Sequence, residues 1–156
     1  MTLKVYFGCS MRGGYPNVSF EDLAEIARVI EDLGFYLESH HQTDKKYISH
    51  EEHVHNKKHE TIIHDRDYDW MKEADIGIFE ISNHSLGTGA EISDMIHMGK
   101  PVLCLYKHGL KDKVSRYVMG KHGSHHVSTK FEVYEYQTIG DAKYGIKKFV
   151  NNLNNH

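Results

Sequence analysis

Apolar residues in this chain fall into two patterns that alternate from end to end. Short unbroken runs, such as Ile76-Gly77-Ile78-Phe79 and Val102-Leu103-Cys104-Leu105, have the length and branching of strands covered on both faces. Between them, apolar positions return at three- and four-residue steps, the spacing of a helix with one buried stripe. The first run, residues 3–7, predicts a strand, and Gly8 to Gly14 a turn after it. Ser19 with Asp22 three residues on resembles a capping box. It opens a helix carrying Leu23, Ile26, Ala27, Ile30 and Leu33 on one face, with Gly34 as its C′ stop. Residues 35–37 predict a short second strand. Residues 38–58 have no apolar period, and so long a loop in a compact domain is usually functional or disordered.

The pattern resumes near Glu60 with a helix bearing Ile63, Trp70 and Met71, ending near Ala74-Asp75. Residues 76–80 predict the third strand. A helix with Ile92, Met95, Ile96 and Met98 at helical spacing follows, and Gly99-Lys100-Pro101 breaks it. Residues 102–105 predict a fourth strand, 111–119 a weakly patterned helix, and 131–136 a fifth strand with the alternation of a sheet edge. A last helix over 141–153 would bury Ile146, Phe149 and Val150. Strands alternating with helices imply a parallel sheet with right-handed crossovers. The expected fold is therefore a three-layer α/β domain, flavodoxin-like or Rossmann-like, over residues 1–156. Its five strands run in the order 2-1-3-4-5, with helices on both faces. Ligands bind such sheets where the strand order reverses, here between strands one and three. That places the turn over 10–14 beside the stretch Ser85-Leu86-Gly87-Thr88-Gly89-Ala90-Glu91.

Composition narrows the function mainly by exclusion. A net charge of −3 in 156 residues leaves no basic footprint for a nucleic acid polymer. No apolar run is long enough to span a bilayer, and the first residues enter a strand rather than a signal peptide. Only Cys9 and Cys104 occur, each near a strand end, so a disulfide framework is not expected and a reduced, cytoplasmic setting is. Seven of the 14 histidines fall between His40 and His64. None stands at zinc-finger or zincin spacing with other ligands, so the segment predicts a polar, pH-sensitive loop and no metal or cofactor.

Three stretches carry chemistry. Glu91 is expected in the first turn of a helix at the carboxyl end of a strand. Gly87 and Gly89 remove side chains before it, so a ligand can approach the backbone. A carboxylate near a helix N-terminus is favoured as the anion, which suits a nucleophile. On this stretch alone, the ordinary role of a first-turn carboxylate is the better account. Ser10, Arg12, Gly13 and Gly14 form a glycine-rich turn whose N–H groups and guanidinium could hold a phosphate. It is neither a Walker A loop nor a dinucleotide fingerprint, and an ordinary tight turn with an exposed arginine is the alternative. The third stretch, residues 63–70, holds three carboxylates. Asp65 and Asp69 share a helix face as solvated charges, and Asp67 points elsewhere.

Taken together, these stretches resemble a known family. Tyr-Phe-Gly-x-Ser-x-Arg-Gly-Gly over 6–14, Ile-His-x-x-Asp-x-x-Trp over 63–70 and Ser-Leu-Gly-x-Gly-x-Glu over 85–91 occur in the order of the nucleoside 2-deoxyribosyltransferase superfamily. Within it, the chain is most similar to the 2′-deoxynucleoside 5′-monophosphate N-glycosidases. The resemblance implies that Glu91 is the nucleophile attacking C1′ of deoxyribose. It implies that Asp67 is the carboxylate that assists the leaving base, and that Tyr6 holds the nucleophile through its hydroxyl. It makes Ser10, Arg12, Gly13, Gly14 and Ser85 the 5′-phosphate site, with Gly87 and Gly89 lining the substrate. It also implies a homodimer in which Ser115 reaches the neighbour's phosphate site. Nucleoside transferases of this family carry an aspartate where this chain has Ser85. A carboxylate there would repel a phosphate, whereas a hydroxyl can donate to it.

The expected activity is hydrolysis of deoxynucleoside monophosphates to free base and deoxyribose 5-phosphate, with a small deoxynucleotide as substrate. Base exchange between deoxynucleosides is the enzymatic alternative. A nucleotide-sensing module would need neither Glu91 nor Asp67, and a flavin-binding protein would be yellow.

Overall fold

A computed structural model describes residues 2–11, 14–39 and 60–155. Arg12, Gly13 and nearly all of the histidine-rich segment lie outside the described residues. Five strands form one parallel sheet in the order β2-β1-β3-β4-β5, as the alternation implied. They are β1 (Lys4–Gly8), β2 (Tyr36–Leu37), β3 (Ile76–Glu80), β4 (Val102–Lys107) and β5 (Phe131–Tyr136). The helices among the described residues are α1 (Phe20–Asp32), α2 (Glu60–Glu73), α3 (Leu86–His97), α4 (Arg116–Met119) and α5 (Ile139–Leu153).

The continuous apolar runs lie where both sheet faces are covered. All five residues of β3 are buried, and so are the first five of β4. One core joins Val5, Phe7, Ile78 and Leu105 to Leu23, Ile26 and Ile30 of α1 and to Ile146 and Phe149 of α5. The other joins Tyr6, Phe79 and Cys104 to Met71 of α2 and to Ile92 and Met95 of α3. The chain therefore leaves β1 toward one face of the sheet and β3 toward the other. Divergence at the ends of two neighbouring strands opens the crevice that binds ligands in such folds.

Local signals account for most element ends. The Ser19 hydroxyl accepts from the Asp22 N–H at 3.1 Å and starts α1. Gly34 follows it with φ +85°, a left-handed conformation that suits glycine. Strand β2 has only two residues, but the chain stays attached beyond it. The Ser39 hydroxyl accepts from Phe7 N–H at 2.8 Å and donates to Phe7 O at 2.6 Å. One side chain thus continues the ladder that the backbone leaves.

Three expectations are corrected. Helix α3 starts at Leu86, one turn earlier than expected, so Gly87 and Gly89 lie inside it and Glu91 is in its second turn. Ser85 is the cap, accepting from Thr88 N–H at 3.2 Å. Thr88, Ile92 and Met95 form the buried stripe, and the threonine carries it back one turn past the apolar residues. The helix over 111–119 shrinks to α4, because only Val114 and Val118 turn inward and a four-residue turn is all they anchor. Helix α5 starts at Ile139 rather than Asp141, with Thr138 capping the Asp141 N–H at 3.1 Å. No helix among the described residues is long and apolar enough to cross a membrane.

Candidate active site

The crevice between the carboxyl ends of β1 and β3 is a cavity of about 1530 Å³. Small-molecule sites commonly hold about 300–1,000 Å³, so a nucleotide has ample room. Glu91 reaches it from α3, Asp67 from α2, and Ser115 from the cap of α4. The first of these is held from below. Tyr6 is fully buried in β1, and its hydroxyl donates to the Glu91 carboxylate. Gly8, two residues along the same strand, leaves the space that this carboxylate needs. A Cβ there would sit 2.5 Å from the Phe79 ring and 3.0 Å from Glu91 Oε2. Gly8 was assigned no role from sequence, although a glycine closing an apolar strand run signals close approach.

Burial is the largest influence on Glu91, followed by the negative charge of Asp67. Together they overcome the Tyr6 hydrogen bond and raise its pKa to about 8. Stabilisation of the anion by the helix N-terminus, expected from the sequence, is therefore not what governs this carboxylate. It lies one turn too far along the helix, beyond the first turn in which the dipole acts strongly, and it is largely desolvated.

Asp67 separates from its neighbours as the helix period requires. Its side chain is 19% exposed, against 67% for Asp65 and 66% for Asp69. Burial raises its pKa against the opposing pull of Arg66. The Arg66 guanidinium donates to Asp67 Oδ1 through Nε at 3.1 Å and Nη2 at 2.9 Å. The same guanidinium lies 4.6 Å over the Trp70 ring, which fixes its plane. Sequence reasoning missed Arg66; its only signal was a cation adjacent to the one inward-facing carboxylate.

The polar residues around this pair divide into two groups. Ser85, Gly87, Gly89 and Ser115 line the cavity. The caps at Ser85 and Ser115 accept hydrogen bonds from Thr88 and Val118 N–H groups, so neither hydroxyl spends its own proton there. Ser10 and Gly14 are not on the wall, which Cys9 and Met11 form at this point. Ser10 is buried, with its hydroxyl donating to Gly14 O at 3.1 Å and lying 3.5 Å from His84 O. It ties the turn together and holds it against the β3–α3 loop. Gly14 takes φ +79°, a left-handed conformation that suits glycine. The Cys9 thiol is no rival nucleophile, because burial and the charges of Glu91 and Glu80 push its pKa far up and keep it protonated. No group of three or more metal-ligating side chains occurs among the described residues.

Two carboxylates on one pocket, one buried on a tyrosine and one clamped by an arginine, match what glycosyl transfer through a trapped intermediate requires. Comparison with known proteins points the same way. The chain is 30% identical over 135 residues to 5-hydroxymethyl-dUMP N-hydrolase of Mus musculus, covering 85% of this chain and 72% of that one. It is 32% identical over 121 residues to the enzyme of the same name from Tetraodon nigroviridis, covering 76% and 80%. A solved structure of Clostridium botulinum CMP N-glycosidase, BcmB, shares the fold with a TM-score of 0.59. It is 18% identical, over 92% of this chain and 98% of that one. The nucleoside 2-deoxyribosyltransferase family model matches residues 5–132, a span holding both carboxylates and both turns, and the chain belongs to that family.

Proposed function

We propose that this protein hydrolyses the N-glycosidic bond of 2′-deoxynucleoside 5′-monophosphates, releasing the free base and deoxyribose 5-phosphate. The observation that carries the reading is the desolvated Glu91 held by Tyr6 next to the charge of Asp67. In the first step, a Glu91 carboxylate oxygen bonds to C1′ while the C1′–N bond breaks. The base leaves with the electron pair and takes a proton from Asp67. In the second step, water attacks C1′, the C1′–Glu91 bond breaks, and ionised Asp67 takes the water's proton. A deoxyribosyl cation has no 2′-hydroxyl to destabilise it, so a small site of this kind is adequate.

Both carboxyl pKa values are raised, so the pair keeps one proton over a wide pH range. The reaction needs that one proton on Asp67 and Glu91 ionised, whereas burial favours it on Glu91 at rest, so substrate binding must move it between them. The 5′-phosphate falls to Ser85 and to the turn of Ser10, Arg12, Gly13 and Gly14, where Ser10 acts by holding the turn's shape. Names of relatives that act on a deoxynucleotide support this substrate class.

The test is product analysis on matched monophosphates and nucleosides, with and without an added acceptor base. Free base and deoxyribose 5-phosphate should appear from the monophosphate, and the acceptor should not be incorporated. Arg12→Ala should raise KM for the monophosphate by about tenfold or more, the worth of one charge-assisted phosphate contact. It should leave nucleoside cleavage nearly unchanged. Equal losses on both substrates would mean that Arg12 supports the fold.

The same reading includes a cytoplasmic homodimer with shared sites. Two cysteines, both free and buried, suit a reducing compartment. Leu86 at 97% and Tyr117 at 81% exposure stand on the cavity's rim on the side of Ser115, and such apolar exposure favours a subunit contact. Ser115 lines the cavity of its own chain, so its service to a neighbour needs a direct test. Mixing Glu91→Ala with Ser115→Ala subunits should restore part of the activity if sites are shared. Mixtures as inactive as their components would assign Ser115 to its own chain.

A further inference from the structure

Strands β1 and β3 pair from Val5↔Ile76 to Gly8↔Phe79, and beyond that pair their chains part toward opposite faces of the sheet. Something must set the gap between the two turns that follow, because the ladder no longer does. Two asparagines join the chains again, Asn83 at the crevice wall and Asn17 beside it. Asn83, 4% exposed, accepts through Oδ1 from Asn17 N–H at 2.9 Å and Val18 N–H at 3.1 Å. Its amide donates to Val18 O at 2.9 Å. Asn17 answers by donating from Nδ2 to Ser82 O at 2.8 Å. Four hydrogen bonds thus connect segments 65 or 66 residues apart through two side-chain amides and nearby backbone.

The clasp lies between the two turns assigned to the phosphate. Asn17 follows Gly14 by three residues, and Asn83 precedes Ser85 by two. Its β3 side is itself anchored. Ser82, fully buried, donates from N–H at 2.5 Å and from Oγ at 3.2 Å to the Glu80 carboxylate, and its hydroxyl accepts from Lys107 N–H at 2.9 Å. Tyr136 of β5 donates to the same Glu80. Movement of the β3–α3 loop is thereby resisted by three strands, and the β1–α1 turn is hung from that loop.

The geometry points to Asn83 as a positioning residue that sets the distance between the Ser10–Gly14 turn and Ser85, and so the fit of the substrate's 5′-phosphate. Asn83 borders the cavity, but its Oδ1 and one amide proton are spent on the clasp. Its action runs through backbone spacing, so loss should fall on phosphate recognition rather than on bond cleavage at Glu91, whose support comes from Tyr6 and Gly8. This assignment rests on the proposed nucleotide substrate.

The test measures affinities of wild type, Asn83→Ala and Asn17→Ala for a deoxynucleoside 5′-monophosphate, the matched nucleoside and inorganic phosphate, together with kcat at saturation. Asn83→Ala should weaken monophosphate and inorganic phosphate binding about tenfold and nucleoside binding less than about twofold, since small displacements of positioning groups act steeply. Its kcat should stay within about threefold of wild type. Asn17→Ala loses one of the four bonds and should show the same selectivity on a smaller scale, which keeps the test open if Asn83→Ala does not fold. Hydrogen exchange at the amides of Asn17 and Val18 should quicken in Asn83→Ala. Equal losses for nucleoside and monophosphate, or a lowered Tm with unchanged affinities, would overturn the assignment. So would a wild type that binds no monophosphate. Tight monophosphate binding without hydrolysis would overturn the proposed function alone, leaving the affinity ratio to judge Asn83.

Discussion

Glu91→Ala is expected to reduce turnover by at least about 1,000-fold, a rise of at least about 4 kcal/mol in the barrier. The variant removes the group proposed to bond C1′ and, on that reading, leaves Asp67 with no intermediate to form or resolve. Folding should survive, and Glu91→Gln, which keeps the volume, shows why. Burial and the charge of Asp67 raise the Glu91 pKa to about 8 in the folded state, against an ordinary value of 4.5. Between these values the folded state binds more protons than the unfolded one, so wild-type stability falls as pH rises. Glutamine cannot ionise and escapes this penalty. Thermal unfolding from pH 4.5 to 9 should therefore show wild type losing ground to Glu91→Gln, by a few kcal/mol once pH exceeds about 8. Wild-type turnover in the alanine variant would overturn the mechanism. Parallel stability curves would mean that the carboxylate is solvated.

Asp67→Asn should cost about 100- to 10,000-fold in kcat, the usual worth of a placed proton donor. Loss should be greatest for bases that leave poorly without a proton. The pH profile distinguishes this role from a structural one. Wild-type activity should be bell-shaped, falling below the first proton loss of the pair and again above about pH 8, where the second proton leaves and no donor remains. In Asp67→Asn the alkaline fall should disappear. The acid limb should then report Glu91 alone, at a lower pKa, because the charge that helps to raise it is gone. A variant with the wild-type profile and a small loss in kcat would remove Asp67 from the chemistry. Arg66 sets a boundary on this reading, since its two donors oppose the burial that raises the pKa of Asp67.

The roles of Glu91 and Tyr6 also follow from how little space this part of the fold leaves. Phe79, Gly8 and the Glu91 carboxylate meet at the end of β1, where a single methyl group would collide with the ring. The proposed nucleophile is therefore held by shape as well as by a hydrogen bond. Such preorganisation limits the reorganisation that the reaction must carry out.

What the sequence determined by itself is the frame. Alternation of unbroken apolar runs with helical stripes gave five parallel strands and their order, because burial on both faces permits few other arrangements. Caps with local chemistry were equally legible, as at Ser19 and Gly34, since their hydrogen bonds and dihedral angles involve only near neighbours. The resemblance of the three motifs marked Glu91 and Asp67, and the helix period separated Asp67 from Asp65 and Asp69; the fold shows that Asp67 is the one turned inward. Tertiary structure decided the rest. It moved the start of α3 back one turn, because Thr88 is buried as though it were apolar. It gave Glu91 its raised pKa, which depends on desolvation and on a charge carried by another helix. It turned the Ser10 hydroxyl away from the cavity and onto backbone carbonyls. It also joined Asn17 to Asn83 across 66 residues. These features depend on groups distant in sequence meeting in a dry interior, where charge and hydrogen bonding act more strongly than in water and no local pattern records the partner.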